Sequence, residues 1–177
     1  MEHEQHTRPG PSPAPASGGA HALSAPYVLE YTYRRSVGPV IGRFLGALKD
    51  RRIEGVRTRA GKVLVPPAEY DPETGESVLD ETVEVGPSGV VTTWAWVMEP
   101  RKGQPLDRPF AWALVKLDGA DTCMLHAVDA GSPEAMATGM RVRPRWKAER
   151  VGEIQDIACF ERETVSDPHD TRERTAR

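Results

Sequence analysis

From Lys62 onward the chain is a succession of short runs separated by Gly, Pro and Asp: Lys62–Val65, Ser77–Val85, Gly89–Met98, Phe110–Leu117, Thr122–Val128, Gly139–Lys147 and Glu153–Phe160. Several are rich in Val, Thr and Trp, side chains that suit a pleated, half-buried surface, and the breakers between them leave no room for long helices. The run Met140–Lys147 is the strictest, with Met140, Val142, Pro144 and Trp146 alternating with Arg141, Arg143, Arg145 and Lys147. A period of two turns the first set toward a core and sets four cations in a row on the other face. Pro144 has no N–H to give a neighbouring strand, so this run belongs at an edge or a bulge.

Ahead of these runs, SVGPVIGRFLGALKD is the one convincing helix. Ser36 is placed to cap it, Pro39 fits its first turn, and Val40, Ile41, Phe44, Leu45 and Leu48 recur on one face. In the first 25 residues Pro9, Pro11, Pro13 and Pro15 alternate with small residues, and from Thr164 the chain is charged and aperiodic, so both ends are expected to be disordered. The expected organisation is a tail over 1–25, a helix with a small lobe over 26–86, a barrel over 87–163 and a second tail over 164–177. About five strands after residue 88, with a helix-forming turn at Ser132–Ala137, suit a small closed barrel of the OB type, and the fold class is mainly β.

Charge narrows the function. Between Tyr27 and Phe160 there are 18 Lys and Arg against 19 Asp and Glu, a near-neutral body unlike one that collects phosphates. No run is long and apolar enough to span a membrane and no signal segment follows the first charges, so a cytoplasmic location is expected. Cys123 and Cys159 lie in apolar segments and read as free buried thiols. His3, His6, His21 and His169 fall in the tails, leaving His126 as the only histidine of the body. His126 reads either as a base pointing into a cleft or, the better reading, as a hydrogen-bonded structural histidine on a strand, and Asp118 and Asp129 read as turn formers beside Gly119 and Ala130. Trp94 and Trp96 share one strand face, as do Phe110 and Trp112, and aromatics at period two either fill a barrel or anchor an interface. Phe44, Trp94, Trp96 and Trp112 are the partner-interface candidates. For Arg141, Arg143, Arg145 and Lys147 three readings stand: a solvated face, contacts to an acidic partner, or contacts to phosphates, which the resemblance named below would make those of CoA. The Met98–Pro109 loop, with three prolines and mixed charge, reads as a docking or entrance loop.

Two further segments, RTRAG (Arg57 to Gly61) and DPETG (Asp71 to Gly75), share a frame of two positions three apart followed by glycine, joined by KVLVPP. By spacing alone they are two ordinary turns. In a zinc ribbon each such knuckle is C-x-x-C-G, and here the four ligand positions hold Arg57, Ala60, Asp71 and Thr74, so no metal is expected. The order of the segments, from FLGALKDRRIEGVR through both turns to PFAWALVKLDG, LHAVD, GMRVRPRW and IACFE, resembles the zinc-ribbon/OB-fold family called domain of unknown function 35 over roughly residues 39–161.

That resemblance implies an OB barrel with a degenerate, metal-free ribbon, and a non-catalytic subunit that accompanies a thiolase-like enzyme, acetyltransferase or hydratase acting on acyl-CoA. The opening YRRSVGPVIGRFLGALKDRRIEGVR and the strands DRPFAWALVKLDGADT look most like the member of that family that pairs with a lipid-transfer-protein-like thiolase homologue in bacterial steroid side-chain degradation. The resemblance then implies retro-aldol cleavage of a 3-hydroxyacyl-CoA by the partner, in a two-plus-two heterotetramer, with no cofactor held here and the acyl-CoA bound mainly by the partner. Two alternatives stand beside it: an accessory subunit of an acyl-CoA thiolase, acetyltransferase or enoyl-CoA hydratase, and a single-stranded nucleic-acid-binding OB domain.

Overall fold

The computed structural model describes residues 27–30 and 36–164; the tail 1–25 and the tail beyond Thr164 lie outside the described residues. Residues 27–30 form no regular element. From Ser36 the elements are α1 (Gly38–Lys49), β1 (Ile53–Arg57), β2 (Val63–Leu64), β3 (Thr82–Val85), β4 (Gly89–Val97), β5 (Phe110–Leu117), β6 (Met124–Asp129), β7 (Arg141–Trp146) and β8 (Ile157–Arg162), with 3-10 turns at Pro133–Ala135 and Ile154–Asp156. Among the described residues no helix is long and apolar enough to cross a membrane.

Helix α1 buries Phe44, Ala47 and Leu48, while Ile41 remains 37% exposed. Val37 occupies the N-cap, and the expected cap Ser36 instead accepts the Gly38 N–H on its Oγ at 3.3 Å. The helix stops where Arg51 enters the left-handed region at φ 59°, and the Asp50, Arg51 and Arg52 N–H groups fold back on the Ala47 and Leu48 carbonyls. That reversal releases Ile53–Arg57 as a strand, one not among the runs read from the sequence.

Strands β2, β1 and β3 form a three-stranded antiparallel sheet in that order. The expected run Ser77–Val85 contributes only its last part, Ser77 making a lone bridge to Tyr70. The remaining strands close into a barrel of order β4-β5-β6-β8-β7, with β7 returning to β4 and only β6 and β8 parallel. This is an OB barrel. At Gly89, where β4 pairs with both β5 and β7, a Cβ would sit 2.4 Å from the Lys116 carbonyl oxygen, so only glycine fits the closure. A bulge between Val91 and Thr93 then turns Trp94 and Trp96 to the barrel interior, opposite the small Ala113 and Ala111.

Sheet and barrel share one core, in which Phe44, Leu48, Ile53, Val63 and Val65 join Val91, Val115, Leu117, Met124 and Phe160. They are also stitched by hydrogen bonds. Asp121 Oδ2 accepts the Val63 N–H at 2.8 Å and the Asp121 N–H reaches the Val63 carbonyl at 2.8 Å. Thr122 Oγ1 accepts the Val65 N–H at 2.7 Å and donates to the Val65 carbonyl at 2.9 Å. At the far side, Arg150 Nε donates to the Lys49 carbonyl at 2.7 Å, fixing the β7–β8 connection to the C-terminal end of α1, where a cation is favoured.

Removing either stitch strands a buried backbone donor, which costs about 1–3 kcal/mol. Asp121→Ala and Thr122→Val are each expected to lower urea-unfolding stability by that amount with an unchanged m-value, and losses under about 0.5 kcal/mol in both would show the stitches to be incidental.

Candidate functional site

Along β5 the side chains alternate: Ala111, Ala113, Val115 and Leu117 enter the barrel core, and Phe110, Trp112, Leu114 and Lys116 take the outer face. Phe110 is fully buried on that outer face, in a second small cluster with Ala127 and Cys159, packed by Val97, Leu106 and Trp112. Leu106 belongs to the Met98–Pro109 loop, shaped by a turn in which the Gln104 N–H meets the Arg101 carbonyl and the Arg101 N–H meets Gln104 Oε1, with Gly103 at φ 91°. Phe110 and Trp112 meet edge to face with centroids 5.3 Å apart.

Past Trp112 the cover ends. Leu114 and Leu125 stand directly opposite each other across β5 and β6, 36% and 59% exposed. The far wall is the Ile154–Asp156 turn, built around the buried Asp156. Burial alone would push its carboxyl up, yet N–H groups of Val151, Gly152 and Glu153 at 3.0, 2.7 and 3.2 Å hold it below the usual carboxylate range. Between the walls runs a groove of about 540 Å³ lined by Gln104, Trp112, Leu125, Lys147, Ile154 and Ala158 among others. It lies across the second and third barrel strands, between the first-to-second and fourth-to-fifth connections, the face on which OB barrels hold their ligands.

His126 comes from the core side of β6 and lines the base of this groove, buried, its ring edge-on to Phe160 at 5.5 Å. Burial pushes its pKa below the ordinary histidine value, against the opposing pull of the Ala127 and Ile154 carbonyls, so the ring is neutral at pH 7. Asp129 is held by Arg108 and Arg145, and Asp118 is gripped bidentately by Arg141 at 2.7 and 2.6 Å. The Arg141 hydrogen bonds hold the Asp118 carboxyl low. Cys159, pushed up to about 11 by burial, remains a thiol, and Cys123 is half-buried with Thr92 Oγ1 at 3.7 Å.

The three arginines of β7 stand on an exposed face and are paired within the chain. Arg141 pairs with Asp118 and Glu163, Arg143 with Glu161, and Arg145 with Asp129 and Glu161. Lys147 alone of the four makes no salt bridge among the described residues, and it borders the groove. Of the interface candidates, Trp112 lines the groove and Trp94 and Trp96 pack against the barrel core. Phe44 is corrected: at 3% exposure it belongs to the core and offers no surface to a partner. Leu114, Leu125, Ile154 and Gln104 escaped the sequence reading. The signal was present, since FAWALVKL is apolar on both strand faces, as a strand covered on both sides would be.

The two glycine-terminated turns are hairpin-like and linked by a Lys62–Glu73 ion pair. The first closes with the Gly61 N–H on the Thr58 carbonyl, the second with the Gly75 N–H on the Asp71 carbonyl. Arg57 donates to the Gly61 carbonyl, Ala60 is an exposed methyl, Asp71 Oδ1 accepts the Glu73 N–H at 2.9 Å, and Thr74 Oγ1 accepts the Glu76 N–H at 3.2 Å. A guanidinium, a methyl and two oxygens already engaged with backbone do not fit zinc.

Because His126 binds its proton less tightly folded than unfolded, the unfolded chain carries more protons between the folded value and about pH 6.5. Stability is therefore complete above about pH 6.5 and declines as pH falls through that window, ahead of the carboxylates. The urea midpoint is expected to drop between pH 7.5 and pH 5.5 in the wild type and to move less in His126→Gln, and equal slopes in the two would remove His126 as the cause.

Residues 82–147 match a family model described as the C-terminal OB-fold domain of ChsH2. None of the curated proteins matches the chain. Among solved structures, one described as an Ltp2-ChsH2(DUF35) aldolase is similar over 73% of this chain and 98% of its own, at 21% identity and a TM-score of 0.53. A DUF35-family protein of unknown function from Sulfolobus solfataricus is similar over 72% of this chain and 85% of its own, at 18% identity and a TM-score of 0.51. Residues 82–147 thus resemble the C-terminal OB-fold domain of ChsH2, and the chain shares the fold of these DUF35 structures.

Proposed function

We propose that this chain is a non-catalytic accessory subunit of a thiolase-like acyl-CoA aldolase, braced against a lipid-transfer-protein homologue that cleaves a steroid side-chain 3-hydroxyacyl-CoA. The observation that carries the reading is the likeness to the Ltp2-ChsH2 aldolase structure over 98% of that chain, joined to the ChsH2-type OB segment. The lobe with its two glycine turns is, in this reading, a zinc ribbon that has given up its metal.

The chemistry divides accordingly. A retro-aldol step takes the proton from the 3-hydroxyl, breaks the bond between the α and β carbons, and leaves the electron pair on the thioester enolate, which is then protonated; a ketone and a shorter acyl-CoA depart. Such a step needs a base and oriented donors converging on one point. Asp118, Asp129 and Asp156 are each bound to cations or backbone N–H groups, and His126 lies beneath the surface, which supports placing the reacting groups on the partner. A two-fold partner dimer flanked by two copies of this chain is the expected assembly.

Co-expression with a thiolase-like partner is expected to yield a stable complex that converts a steroid 3-hydroxyacyl-CoA to ketone and shorter acyl-CoA, with neither subunit active alone. Turnover by this chain in isolation, or the absence of any complex, would overturn the proposal. Consumption of free CoA would identify a thiolase partner instead, and uptake of water by an enoyl-CoA a hydratase.

A further inference from the structure

Resting on that accessory-subunit reading, we infer that the groove across β5, β6 and the Ile154–Asp156 turn receives a segment of the partner protein that presents two or three apolar side chains and one Asp or Glu, the carboxylate pairing with Lys147. The apolar part follows from what is uncovered. Leu125 and Ile154, both in the groove lining, are 59% and 40% exposed, and Leu125 faces Leu114, 36% exposed, across the strands at the groove's margin, with Trp112 two residues from Leu114 on the same face. Branched apolar side chains held open to water along one groove, beside a half-covered tryptophan, have the composition of an interface centre.

The acidic part follows from charge. Arg141, Arg143 and Arg145 each have a carboxylate of this chain within salt-bridge distance, and Lys147 has none among the described residues. The carboxylate whose charge it feels, Asp156, is buried and already accepts three backbone N–H groups, while Glu153 caps the same turn. Lys147 therefore stands at the rim of an apolar groove without an answering anion, and a desolvating partner must bring one. Both walls are prebuilt, one by the Arg101–Gln104 turn and the other by the Asp156 cage and the Arg150–Lys49 tie, so docking orders little of this chain. A nucleic-acid strand is disfavoured, because the groove offers one tryptophan, a buried histidine and one cation where a strand needs successive platforms and a basic track. A second copy meeting groove to groove would bring a second lysine and no free carboxylate.

The test uses the full chain and the thiolase-like partner, with affinity read by titration calorimetry. Leu125→Asp is expected to weaken binding about 100-fold or more, as burying a new carboxylate at an interface centre does. Lys147→Glu is expected to weaken it about tenfold or more, and Lys147→Arg to stay within about threefold of wild type. Both positions are exposed, so unfolding midpoints should match wild type and a loss of binding reports the surface. If wild type binds and both Leu125→Asp and Lys147→Glu bind equally well, the groove inference fails while the accessory-subunit reading stands. If wild type does not bind, that reading itself fails. Loss in Leu125→Asp with none in Lys147→Glu overturns the acidic contact. Self-association of the chain alone that Leu125→Asp abolishes would assign the groove to a second copy and overturn the inference.

Discussion

Two adjacent side chains in the turn before β6 supply to β2 what a neighbouring strand would supply. Strand β2 is only two residues long, and on its own its outer edge would leave buried N–H and carbonyl groups unanswered. Asp121 and Thr122 answer them at Val63 and Val65, so the β2 edge of the small sheet ends against the barrel. Because the same contact brings Val63 and Val65 into the shared core, sheet and barrel form one packed unit. The helix is then held by the shared core, where Phe44 and Leu48 join Ile53, and by Arg150 at its last carbonyl, and Arg150 in turn sets the connection that walls the groove.

The outer face of β7 carries a related lesson about charge. A row of four cations at period two reads from sequence as a surface waiting for anions. In the fold, β8 lies antiparallel beside it with Glu161 and Glu163, and Asp118 and Asp129 close in from the ends of β5 and β6. These pairs are largely exposed, where each contributes little to stability and more to register and to keeping the face near neutral. What survives of the basic row as a binding determinant is its last member, at the place where the carboxylates run out.

Much of the architecture was legible. The period-two runs located β4 to β8, and the breakers between them located the turns. The helix was visible from Pro39 and the Phe44–Leu48 spacing. Strand β1 was not, because its five residues carry no period-two pattern, with Gly55 at their centre, and the reversal depends on Arg51 adopting a conformation that its sequence does not announce. Phe44 misled as an interface residue for a similar reason: periodicity shows that a face is apolar but not what covers it. The groove was half legible, through Trp112 and Lys147. Its exposed Leu125 was not, since it and the neighbouring Leu114 look like core residues until the loop that covers Phe110 is seen to stop short of them.

That loop has another consequence. It seals Cys159 beneath Leu106 and Trp112, where burial keeps the sulfur protonated, while Cys123 lies half open beside Thr92. The folded chain thus presents two sulfurs of very different reactivity. Alkylating or oxidising reagents should meet Cys123 first, and modification of Cys159 becomes a clock for the lifting of the loop.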